Sequence, residues 1–213
     1  MTLFDRFVNF FIGRINWNGI KYFLTGREYN LTDEDINKVI DLLVKERCIV
    51  LTRRNSHLTT YLINLAEFML KLKNGSRFYP ARLGYWSHVF TEISKDNRLE
   101  IIESIGIGVV KSNYYRAFNV DSICVLKPKY MNDEEMEFAN DLAVKYIGAL
   151  YDTGFNLNDD IRLSCAELVF RSISRTKPYA LPGLNTMIKR LGNLTPQMFY
   201  ECGDFEVLLE IRR

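Results

Sequence analysis

The sequence predicts an α+β fold, an antiparallel sheet packed by helices, and three observations carry that prediction. Apolar residues recur at helical spacing over 36–43 and again over 136–147. Between them lie strand-like runs at 86–93, 99–105 and 122–126. The first two flank Ser94-Lys95-Asp96-Asn97-Arg98, which has the polar content of a hairpin turn.

Residues 1–30 read as a helical extension preceding a single domain over 31–213. Its apolar residues from Leu3 to Ile15 fall at helical spacing with Arg6 and Arg14 among them, and Trp17, Tyr22 and Phe23 follow. Such a helix packs onto its domain or lies on a membrane surface. Thr32-Asp33-Glu34-Asp35 then has the form of a capping box, with Ile36, Val39, Ile40 and Leu43 on one face of a helix to about 46. Cys48 to Thr52 reads as a short buried strand. A helix follows over 57–73, with His57 in its first turn.

After the strands, Gly106 and Gly108 read as an interruption and Pro128 as a stop. Asn132-Asp133-Glu134-Glu135 opens a helix whose stripe is Met136, Ala139, Leu142, Ala143, Tyr146 and Ile147. Another helix starts at Ser164-Cys165, and Pro178, Pro182 and Gly183 mark a loop. Thr195-Pro196 begins a short helix, and 205–211 forms a closing strand.

Composition excludes several functions. With Lys+Arg 28 against Asp+Glu 26 there is no basic excess to hold nucleic acid. Cys48, Cys124, Cys165 and Cys202 are widely spaced, and His57 and His88 are the only histidines, so a structural metal is not expected and no cofactor is implied. The thiols read as reduced. The first residues lack the shape of a signal peptide, and no run approaches the ~18 apolar residues of a membrane span, which points to a cytoplasmic protein.

Cys165 stands where a polar segment, 156–160, meets an apolar run to Ile173. That position is the first turn of a helix, where free backbone N–H groups favour a thiolate. A buried, inert cysteine is the competing reading. Strand register bears on the choice. For a turn centred on Lys95-Asp96, opposed residues have positions summing to 191, a sum His88 and Glu103 meet. Their Cβ atoms would then lie about 4.5–5.5 Å apart. A slip of two positions leaves them diagonal on one face, whereas a slip of one separates them. A carboxylate there would fix the imidazole tautomer and stabilise the imidazolium. The alternative is a cross-strand polar pair on a solvated face.

The ordered set Cys48-Ile49-Val50-Leu51-Thr52-Arg53-Arg54, Trp86-Ser87-His88-Val89, Ile102-Glu103-Ser104 and Ser164-Cys165-Ala166-Glu167-Leu168-Val169 resembles the circularly permuted NlpC-type cysteine hydrolases, the YiiX/YebB-like, permuted papain-like group. The resemblance spans roughly residues 31–201, taking in Tyr151-Asp152 and Leu194-Thr195-Pro196. It implies a permuted papain-like fold, with Cys165 as nucleophile, His88 as general base and then acid, and Glu103 as the orienting group. Tyr151 matches a tyrosine near the cysteine that positions substrate or oxyanion, or else is a half-buried aromatic at a helix end. Glu46-Arg47 stand where that group usually has Gly-Asp, and Ala166 replaces a serine.

The function so implied is a thiol hydrolase, an amidase or peptidase, cleaving an amide or ester through a Cys165 thioester. Its substrates would be peptides, cell-wall-type peptides or acyl lipids. The competing functions are a degenerate hydrolase fold kept as a binding or structural module, and a lipid-acting acyltransferase or esterase. Peripheral membrane contact through residues 1–15 is a further possibility, and the oligomeric state is left open.

Overall fold

The computed structural model of the chain describes residues 31–54, 60, 65, 84–95, 98–152, 157 and 161–213. The extension over 1–30, the turn residues 96–97, His57 and all of the 57–73 helix except Thr60 and Leu65 lie outside the described residues.

The helix α1 (Asp33–Lys45) begins as its sequence demands. Thr32 accepts from the Asp35 N–H, while the Asp35 carboxylate accepts from the Thr32 N–H at 3.0 Å. The strands β1 (Ile49–Arg53), β2 (His88–Lys95), β3 (Arg98–Ile105) and β4 (Gly108–Asn113) follow in chain order. A one-turn helix α2 (Tyr114–Ala117) leads into β5 (Ser122–Pro128). Then come α3 (Asp133–Val144), α4 (Cys165–Thr176), α5 (Pro182–Leu191), α6 (Pro196–Glu201) and β6 (Phe205–Ile211). The six strands form one sheet in the order β4-β3-β2-β1-β5-β6, with every neighbouring pair antiparallel.

Side-chain alternation along the strands divides the core in two. Ile49, Leu51, Val89, Cys124 and Leu126 face α3 to α6, meeting Met136, Ala166, Val169, Leu184 and Phe199. Val50, Phe90, Ile101, Ile123 and Val125 face the other way, onto Val39 and Leu43 of α1 and Phe118 after α2. Each such aliphatic or phenyl group taken fully out of water contributes about 1.5–3 kcal/mol. A mixed α+β architecture with an antiparallel, helix-packed sheet is therefore what these residues build.

Four sequence expectations are corrected. Gly106 and Gly108 do not end the strand region; Gly106-Ile107 is the turn of a β3–β4 hairpin pairing Ile105 with Gly108. Gly108 has φ +112, and a Cβ there would lie 2.2 Å from the Ala149 carbonyl oxygen, so glycine is required. The Pro182-Gly183 segment is the start of α5, with proline in its first turn and Gly192 in the left-handed conformation (φ 68) at its end. The α3 helix stops at Val144, and Ile147 is 44% exposed; the buried stripe takes in Asn140, which accepts a hydrogen bond from Thr91.

The fourth concerns the β2–β3 register. Thr91 pairs with Ile102 and Glu92 with Ile101, two positions further along than a turn on Lys95-Asp96 gives. His88 and Glu103 are consequently diagonal rather than opposite, on the same face. The imperfect alternation of β6 has a local cause, a register shift between Val125 and Leu126 of β5.

Candidate active site

His88 opens β2 and pairs with Thr52 of β1, so its ring stands at the end of the sheet. The diagonal placement brings its Nε2 to 2.8 Å from Glu103 Oε2, the ring nitrogen donating. Glu103 is 4% exposed. Burial raises its carboxyl, but the hydrogen bond and charge of His88, the Ser112 hydroxyl and the charge of Arg54 outweigh burial and lower it to about 2.

Cys165 is the first residue of α4, as the sequence indicates, and is 3% exposed. Ser164 caps the helix. Its hydroxyl accepts from the Glu167 N–H at 3.3 Å, and Glu167 Oε2 accepts from the Ser164 N–H at 2.7 Å. The turn before it is fastened twice. Ser104 of β3 donates to the Leu163 carbonyl at 2.5 Å, and the Leu163 N–H donates to the Leu150 carbonyl at 2.9 Å. Glu103 and Ser104, adjacent on one strand, thus hold the histidine and the cysteine turn.

The sulfur and the imidazole meet. Burial alone would lower the basicity of His88, yet the charge and hydrogen bond of Cys165, followed by those of Glu103, raise it to about 10. With Nε2 engaged by Glu103, Nδ1 is the nitrogen left for the sulfur. Tyr151, next after Leu150, lies beside them: burial first, then the charges of Cys165, Glu167 and Asp152, hold its hydroxyl well above the usual phenol range. All four residues singled out in the sequence therefore come together.

Other members were missed. Gln197 Oε1 accepts from the backbone N–H groups of Tyr85 (2.7 Å) and Trp86 (2.9 Å), fixing the chain just before His88. Its amide in turn donates to Glu201 at 3.0 Å. Asp152 and Glu167 are buried beneath Cys165, and no periodicity in the sequence signals that they meet. The four-residue spacing of Ser164 and Glu167 did signal a capping box. Among the described residues no group of three or more His, Cys, Asp or Glu is placed to hold a metal ion. No described helix is long and apolar enough to cross a membrane.

No family model matches the chain, and no curated protein does. Among solved structures, it is similar to the crystal structure of metalloprotein yiiX from Escherichia coli O157:H7, DUF1105. The TM-score is 0.56 at 13% identity, over 79% of this chain and 98% of that one. At that identity the likeness shows a shared YiiX-like fold.

Proposed function

We propose that this chain is a cysteine hydrolase of the permuted papain-like kind, acting on an amide or ester through a thioester at Cys165. One observation carries the reading: the His88 imidazole stands between the Glu103 carboxylate, 2.8 Å from Nε2, and the Cys165 sulfur. In chemical terms Nδ1 takes the thiol proton and sulfur attacks the carbonyl carbon. The oxyanion is held by a backbone N–H near the start of α4, and the imidazolium returns the proton to the leaving group. Water then cleaves the thioester with His88 as base. Glu103 holds the ring and stabilises its charged form throughout. The order His88, Glu103, Cys165 along the chain and the YiiX-like fold support the permuted assignment. The neighbour's description as a metalloprotein brings no metal step here, because the described residues do not offer three ligands together.

A lipid-acting esterase or acyltransferase is a second reading, favoured by the apolar residues beside Tyr151. Ile107, Leu150 and Ile161 are 75%, 54% and 73% exposed, and the backbone joins their segments through Leu150–Ile161 and Val109–Ala149 hydrogen bonds. A panel of peptide amides, γ-linked wall peptides and acyl esters, run with Cys165→Ala as control, separates the two. Turnover of either amide class that disappears in Cys165→Ala supports the first; turnover confined to long-chain esters supports the second. Turnover that survives Cys165→Ala contradicts both.

A further inference from the structure

We propose that Asp152 and Glu167 form a buried acid pair holding one proton between them, and that this pair positions the Cys165 turn and Tyr151. Its catalytic consequence rests on the cysteine hydrolase reading; the shared proton itself does not.

Glu167 is 1% exposed and Asp152 4% exposed. Glu167 Oε2 is occupied by the Ser164 N–H at 2.7 Å. Its other oxygen, Oε1, is buried without an N–H or O–H partner, and the side chain within hydrogen-bonding reach is the Asp152 carboxyl. Two acceptors cannot satisfy one another, and leaving both ionised would bury adjacent like charges. A proton on Glu167 Oε1, donated to Asp152, removes both penalties at once. The electrostatics agree: burial chiefly, then the charge and hydrogen bond of Asp152, push the Glu167 acid up to about 7, against the Ser164 backbone and side-chain bonds that lower it.

The surrounding groups define what that proton does. Tyr151 adjoins Asp152 in the chain and feels both acids and Cys165. Arg171, one turn along α4, donates to the Leu157 carbonyl at 2.8 Å, and His88 of β2 faces Cys165. With the proton in place, the nucleophile and the developing oxyanion face one negative charge from the pair. Without it they face two, and the pair is driven apart beneath the helix start.

Glu167→Gln tests this, since an amide can donate to Asp152 while its oxygen keeps the Ser164 N–H. A group whose folded-state proton affinity is raised stabilises the fold at low pH and loses that contribution as pH rises from about 4.5 to about 7. The thermal midpoint of Glu167→Gln should therefore gain on that of the full-length wild type across this window and hold its lead above it. A difference that is flat with pH, or that moves in favour of the wild type, overturns the shared proton. Alkylation of Cys165 by iodoacetamide near pH 6 tests positioning: Glu167→Gln should react at the wild-type rate, and Glu167→Ala about tenfold slower or worse. Equal slowing in both variants overturns the positioning role. If wild-type alkylation is indifferent to His88→Ala, the hydrolase reading fails, while the pH-dependent midpoint difference still decides the proton.

Discussion

At His88, burial and electrostatics pull in opposite directions, and the partners win. Its basicity stands at about 10 against an ordinary 6.5, and that of Glu103 at about 2 against 4.5. The signs follow from linkage. The His88 contribution to stability is complete below about pH 6.5 and disappears as pH rises towards 10. The Glu103 contribution is complete above about pH 4.5 and disappears as pH falls towards 2. Glu103→Gln should lower the His88 midpoint by about one unit or more, worth ~1.4 kcal/mol per unit, and slow turnover by about 10²-fold or more. Proton NMR titration of the two histidines follows the first effect; an unmoved His88 midpoint would show that Glu103 does not set its charge. Of these residues, the sequence makes His88, Glu103, Cys165 and Tyr151 legible through strand parity and helix-start position. Asp152 and Gln197 are not legible, because their partners are distant in the chain and only tertiary packing supplies them.

Among the elements, α4 carries the heaviest requirement, since it must present Cys165 at its first residue. Its cap, its Ser104 tether and its buried Leu168, Val169 and Ile173 all act to that end. Ser104→Ala leaves the buried Leu163 carbonyl without that donor and should reduce stability by about 1–3 kcal/mol in denaturant unfolding. An unchanged midpoint would mean the tether is not holding the turn. Local signals located α1, α3, α4 and β5 well, because caps and periodicity agree there. They failed at α5 and β4, where Pro and Gly were read as breakers. At α5 the first-turn N–H groups of Gly183 and Leu184 are capped by Asp204 from outside the helix, at 3.0 and 2.7 Å. No cap stands in the sequence beside Pro182, so local reading had nothing to find. At β4 the glycine is demanded by the Ala149 carbonyl, a contact equally invisible locally.

On the scale of the whole molecule, the sheet order places β1, β2 and β3 side by side, so strands distant in the chain deliver their ends to one place. The α+β class was readable from the clustering of strand-like runs. The two-position slip in the β2–β3 register was not, since a polar turn of five residues fits more than one centre; only the parity it preserves was secure. The same architecture supplies internal standards for its own test. Cys48, Cys124 and Cys202 are each pushed up to about 12, burial being the main cause, and none has the imidazole that faces Cys165. The direct measurement is the rate of alkylation at each cysteine near neutral pH, read by mass spectrometry in the wild type and in His88→Ala. Selective labelling of Cys165, slowed about tenfold or more by His88→Ala, is the expected result. Labelling of Cys165 no faster than of the other three thiols, or a rate unchanged in His88→Ala, would contradict an activated thiol in this fold.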